Sequence, residues 1–212
     1  MQALFIHGMG RSPLSGWPLL RQLKRAGHQT ATFGYSVSRD DFSSIATRLA
    51  TRIGELAARG DYILIGHSLG GVLLRAAVNA LPPGTRPAAQ VFLLGSPTRP
   101  ARLAQRLQNR LPYRLITGDC GRLLASAERM QRIGPLAAPT TAVIGIRGSR
   151  GKYGPFSGEE NDGVVATSEV AAAWIGDEIR LPLIHTFLPA SRRVAELILQ
   201  RLADLPRAPE RT

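Results

Sequence analysis

Tyr62-Ile63-Leu64-Ile65-Gly66-His67-Ser68-Leu69-Gly70-Gly71-Val72-Leu73-Leu74 sets an unbroken apolar run against a serine flanked by glycines. An apolar run of this kind, closed by glycine, suits a strand buried on both faces, as in a parallel sheet. The residues after Ser68 have helix-forming character, so the serine occupies the sharp turn between strand and helix. The pattern Gly-His-Ser-Leu-Gly is a G-x-S-x-G nucleophile elbow, which holds a serine hydroxyl exposed above the sheet. Gly66 and Gly70 stand where a Cβ would collide with the strand-to-helix crossing, and Gly71 lets the helix approach the sheet. The start of that helix aims free N–H groups and the positive end of its dipole at any negative charge forming near Ser68. His67 reads as a packing or positioning residue, because adjacent side chains in an elbow diverge. The bare pattern is weak in a chain with 22 glycines; the strand before it and the helix after it carry the weight.

The flanking sequence supplies the rest of the architecture. Ala3-Leu4-Phe5-Ile6 is a short apolar run that ends in the glycine-rich loop His7-Gly8-Met9-Gly10. A helical pattern through Trp17, Leu19, Leu20 and Leu23 stops at Gly27. Thr30–Tyr35 alternates as a strand. Asp40 or Asp41 then caps an amphipathic helix marked by Phe42, Ile45, Leu49, Ile53 and Leu56. Beyond the elbow, Gln90–Gly95, Thr140–Ile146 and Glu178–Ile184 are predicted strands. Pro182, unable to donate to a ladder, assigns the last to a sheet edge. Val194, Leu197, Ile198 and Leu202 mark a closing helix. Strands alternating with helices predict an α/β fold, a doubly wound, mostly parallel sheet of about six strands with helices on both faces. A single domain over 1–205 and a polar tail over 206–212 are expected.

From Arg99 to Arg132 no strand is visible, only helical segments interrupted at Pro112, Gly118 and Gly121. This segment reads as a helical lid or insertion. On one helix Arg102, Arg106 and Arg110 would form a basic stripe beside an apolar one of Leu103, Leu107 and Leu111. Such a pattern marks either a surface drawn to anionic lipid or, more commonly, a packed helix with a solvated basic face.

The chain has 212 residues, 44% of them hydrophobic, and a net charge of +12. The basic residues are nearly all arginine, Lys24 and Lys152 being the exceptions, and are scattered from end to end. With 6% aromatic content and no basic tail, a nucleic-acid partner is not expected. A weak association with an anionic membrane surface stays open. The single cysteine, Cys120, excludes an internal disulfide framework and suits a reducing compartment. With no apolar run of bilayer length and no signal-peptide pattern before the first strand, the expected location is cytoplasmic.

Ligands of such sheets sit beyond the carboxyl ends of the strands. Acyl transfer by serine there needs a base, an acid that orients the base, and donors for the oxyanion. Of the four histidines only His185 follows Ser68, directly after the last strand. Among the acids between them, Asp162 in Asn161-Asp162-Gly163-Val164-Val165 is the first choice and Glu160 the reserve. A plain Asn-Asp-Gly turn former is the competing reading of Asp162. The oxyanion donors are expected to be the backbone N–H groups of Leu69 and Met9. Arg11 and Ser12 lie at the same mouth as ordinary loop residues or substrate contacts.

Taken together, His-Gly-Met-Gly after the first strand, Gly-His-Ser-Leu-Gly-Gly, Asn-Asp-Gly-Val-Val and a histidine after the last strand resemble the α/β-hydrolase superfamily. Within it they are most similar to small bacterial lipases and esterases with a minimal core. The resemblance implies Ser68, Asp162 and His185 as a catalytic triad and Met9 and Leu69 as oxyanion donors; as a departure from it, no metal site of the sort some lipases carry is identifiable, and no cofactor is expected. Its motifs are strong for the superfamily and weak for the substrate; a small-molecule or lipid ester is expected. Thioesterase, amidase or acyltransferase activity with the same triad, and a non-catalytic lipid- or protein-binding module, are the alternatives.

Overall fold

A computed structural model describes residues 1–205; the expected tail over 206–212 lies outside the described residues. Six parallel strands form one sheet in the order β2-β1-β3-β4-β5-β6. They are β1 (Gln2–Ile6), β2 (Gln29–Phe33), β3 (Tyr62–His67), β4 (Gln90–Leu94), β5 (Thr140–Gly145) and β6 (Asp177–Leu181). The central strands β3, β4 and β5 are buried along their whole length, as their apolar runs require. β6 is an edge strand, as expected, although Pro182 lies just past its end at Leu181 and is not the cause.

Alternation along the strands divides the core in two. Leu4, Ile6 and Leu64 face helices α2 (Phe42–Arg59) and α3 (Leu69–Asn79), while Phe5, Ile63 and Ile65 face α1 (Trp17–Arg25) and α8 (Arg192–Ala203). Helices therefore cover both faces, and all begin near the rim where the strands end. Asp41 rather than Asp40 caps α2, its carboxylate accepting from Ser44 N–H at 2.7 Å. A 3-10 turn at Pro13–Gly16 precedes α1, and another at His185–Ala190 precedes α8.

The segment after β4 carries three helices, α4 (Arg102–Leu107), α5 (Leu111–Ala125) and α6 (Ala127–Arg132), and the short α7 (Thr167–Val170) follows β5. The expected arginine stripe does not form. α4 ends at Leu107, and Arg110 is the N-cap of α5, which starts afresh because Pro112 is tolerated only in a first turn. Arg102 is not a solvated charge either: it is half-buried and paired with Glu159 at 2.6 Å. Gly118 (φ 54°) kinks α5 beside the Val37 carbonyl. Cys120 is buried in α5, and burial, with Asp119 adding to it, pushes its thiol up to about 12. Among the described residues no helix is long and apolar enough to cross a membrane.

Candidate active site

Ser68 sits between β3 and α3 with φ 54° and ψ −125°, a conformation a non-glycine residue seldom adopts. What surrounds it holds it there. Its N–H donates to the Leu94 carbonyl at 2.9 Å, and its carbonyl accepts from Ser96 Oγ at 2.8 Å and Gly71 N–H at 3.0 Å. The elbow glycines do the work expected of them: a Cβ on Gly70 would meet the Ile6 and His7 carbonyls, and one on Gly66 would meet the Gly71 backbone. Such clashes with main chain cannot be relieved by a side-chain rotation.

The loop after β5 carries Asp162, and the turn after β6 carries His185. Both are buried, and His185 Nδ1–H donates to Asp162 Oδ2 at 2.6 Å. The same two residues are tied by main chain, His185 N–H donating to the Asp162 carbonyl at 2.9 Å. The other carboxylate oxygen, Oδ1, accepts from the N–H groups of Val164 (2.9 Å) and Val165 (2.7 Å). Asn161 anchors the loop from within, its amide donating to the Ser149 and Glu159 carbonyls, both at 2.8 Å. The Asn-Asp-Gly segment is thus a turn former and a presenter of a carboxylate at once. Glu160, the reserve acid, points elsewhere, to Arg150 at 2.8 Å and Arg180 at 3.2 Å.

With Nδ1 committed to Asp162, the His185 Nε2 atom is the one left for a partner. His185 and His67 lie with ring centroids 4.7 Å apart, which brings the His185 imidazole beside the residue preceding Ser68. Ser68 is half-buried and makes no side-chain hydrogen bond to His185 among the described residues. In ligand-free enzymes such contacts are commonly long and tighten on binding.

The loop after β1 supplies the facing wall. His7 Nδ1 donates to the Gly8 carbonyl at 2.9 Å, while its Nε2 accepts from Tyr35 N–H at 3.4 Å, an assignment made from these hydrogen bonds. Arg11 N–H also donates to the Gly8 carbonyl, at 3.2 Å. A trans peptide holds its C=O and N–H in opposite directions, so fixing the Gly8 carbonyl fixes the Met9 N–H as well. Neither Met9 nor Leu69 N–H donates to a backbone acceptor among the described residues. Beside this loop a groove of about 430 Å³ runs between His7, Arg11, Tyr35 and Val37 on one side and Leu115 and Ile116 of α5 on the other.

Sequence reading placed Ser68, Asp162, His185, Met9 and Leu69 at this rim, and the chain brings all five to it. It missed Gly95 (φ 53°), whose Cβ would lie 2.8 Å from Asp162 Oδ2 and 3.0 Å from His185 Nδ1. The glycine ending the Val91–Leu94 run was the available signal. It also missed the part of His7 in setting the Gly8 peptide. Among the described residues no group of three or more His, Cys, Asp or Glu side chains could hold a metal ion.

Burial holds the His67 imidazole well below its ordinary range, with the nearby charge of His185 adding to the effect, and burial lowers His7 as well. In the unfolded chain both regain a pKa of about 6.5. Below that pH the unfolded state takes up protons that the folded state does not. Their contribution to stability is therefore complete above about pH 6.5 and is lost on acidification, at up to about 1.4 kcal/mol per pH unit for each histidine. Denaturant midpoints should fall between pH 6.5 and pH 5, as about that linkage requires, and His67→Gln should flatten the slope by one proton's share. A wild-type midpoint constant over that interval would refute this.

The fold has counterparts among solved structures. No protein-family model matches the chain, and no curated protein matches its sequence. Among solved structures, a mature lipase, BlEst2 from Bacillus licheniformis, superposes with a TM-score of 0.66 at 15% identity, covering 95% of this chain and 91% of that one. An extracellular α/β-hydrolase from a Paenibacillus species superposes at 0.62 with 13% identity, covering 98% and 100%. The chain has the α/β-hydrolase fold. A third protein with this fold, the RedJ thioesterase of the prodiginine pathway in Streptomyces coelicolor, superposes at 0.64 with 18% identity, covering 97% and 90%. At these identities the likeness is one of fold. Within the α/β-hydrolase fold, the residues at the carboxyl rim of the sheet must carry the functional argument.

Proposed function

We propose that this protein is a serine hydrolase that cleaves carboxylic esters through an acyl-enzyme intermediate. The observation that carries the reading is the buried Asp162–His185 pair, set on the same rim as a serine in a strained elbow. His185 Nε2 takes the hydroxyl proton as Ser68 Oγ attacks the ester carbonyl. The resulting oxyanion is held by the Met9 N–H of the loop after β1 and the Leu69 N–H at the start of α3, each donor contributing about 3 kcal/mol to the transition state. His185 then gives its proton to the leaving alcohol. Water repeats the cycle on the acyl-enzyme, releasing the acid and restoring Ser68. Asp162 orients the imidazole and stabilises its charged form; no cofactor enters any step. A cytoplasmic setting accords with the single, buried Cys120.

The same parts would serve a thioester, and one structural neighbour is named a thioesterase. The groove beside the oxyanion loop, with Val37, Leu115 and Ile116 among its lining, offers an apolar wall to the acyl part that both substrates share, so the leaving group is what separates the two readings. Incubation with a fluorophosphonate should label Ser68 in the folded protein and abolish turnover of p-nitrophenyl esters. Absence of labelling, or turnover confined to thioesters in a leaving-group screen, would overturn the assignment.

A further inference from the structure

A second surface begins at the catalytic rim and runs down the opposite side of the molecule from α5. Its apolar part is made of large side chains left in solvent: Leu14 is 75% exposed, Trp17 56% and Phe187 57%. The three belong together in space, because the turn at Pro13–Gly16 packs on the turn at His185–Ala190, and α1 packs on both. Arg11 ties the same elements, its Nη2 reaching the Thr186 carbonyl at 3.5 Å. Three bulky exposed apolar groups at one edge of a single face are not scattered residues.

Arginines border this edge along two grooves. One, of about 690 Å³ between α1 and α8, is lined by Trp17, Arg21, Arg25 and Arg192; the other, of about 680 Å³, by Arg147, Arg150, Arg192 and Arg193. Arg192 pairs with Glu196 and Arg150 with Glu160. Arg21, Arg25, Arg147 and Arg193 enter no ion pair among the described residues. The amino end of the 12-residue α8, between the two grooves, adds its positive dipole. The surface therefore combines an apolar rim, including an exposed indole, with four arginines that enter no ion pair among the described residues.

We infer that this face docks the protein on an anionic lipid surface. Leu14, Trp17 and Phe187 enter the headgroup boundary, where an indole is well suited. The arginines of α1, α8 and the β5 loop meet the lipid phosphates, each contributing to attraction that salt screens. Because Phe187 follows His185 by two positions, docking would hold the mouth of the site against the bilayer. The inference does not depend on ester hydrolysis, since binding is read without substrate.

The test is co-sedimentation of the full chain with vesicles of phosphatidylcholine alone or mixed with phosphatidylglycerol. Binding is expected to the mixed vesicles and not to phosphatidylcholine alone, with release at high sodium chloride. Trp17→Ser, and the pair Arg21→Glu and Arg193→Glu, should each weaken it by about tenfold or more, while their melting temperatures and turnover of a soluble short-chain ester stay at wild-type values. Equal binding to both vesicle types would overturn the inference, as would binding untouched by these substitutions. So would loss of binding only on Leu115→Ser and Ile116→Ser, which would move the contact to α5. Displacement by inorganic phosphate at matched ionic strength would identify a site for a free anion instead.

Discussion

Exchange of Ser68 for alanine should lower kcat for a p-nitrophenyl ester by about 10⁶-fold, the scale of loss when a triad loses its nucleophile. The residue left behind has no hydroxyl for His185 to activate, while the Met9 and Leu69 N–H groups and the groove remain. KM should therefore change little. Alanine at this position keeps the strained φ of 54°, so the melting temperature should stay close to that of the parent. Steady-state kinetics with a thermal scan of the same sample checks both parts. Turnover within tenfold of the parent would mean that another group carries the reaction.

Asp162→Asn should cost about 10⁴-fold in kcat, for a reason visible in the hydrogen bonds. Val164 and Val165 N–H both donate to Oδ1, so the asparagine oxygen must take that place. Its NH₂ group then faces His185 Nδ1, which can only accept from it. The imidazole proton moves to Nε2, and the ring can no longer take a proton from Ser68. Because the loop keeps its other bonds, fluorophosphonate labelling should slow in step with kcat while stability holds. A variant that retains more than a tenth of parental kcat would remove Asp162 from the mechanism.

The architecture was legible because burial on both faces writes itself into a parallel strand as an unbroken apolar run. Ile63–Ile65, Val91–Leu94 and Ala142–Ile144 all read this way, and each became a central strand. Much of the site was legible too, since a histidine directly after the last strand is fixed at the rim by topology alone. The choice among the acids rested on a local feature, the turn-forming Gly163, and the structure accounts for it: Glu159 and Glu160 reach arginines, Glu169 caps the start of α7, and Asp162 turns to His185.

What could not be read depended on contacts between distant segments. Nothing near Gly95 announces that Asp162 and His185 will occupy the space a Cβ there would need. Likewise, His7 acts through hydrogen bonds to Gly8 and Tyr35 whose geometry is settled only when β1 and β2 pair. The arginine stripe failed for the converse reason. A helical period cannot run from Arg102 to Arg110, because Pro112, read in the sequence as an interruption, sits instead in the first turn of a new helix.

The seclusion of Cys120 gives the molecule a practical property. With its sulfur enclosed in α5 and its thiol reluctant to ionise, the folded protein offers alkylating reagents no nucleophilic sulfur at neutral pH. A cysteine introduced at Leu115 or at Trp17 would then be the sole point of attachment for a fluorophore, and the two flanks of the entrance could be watched one at a time without first stripping the chain of its native thiol.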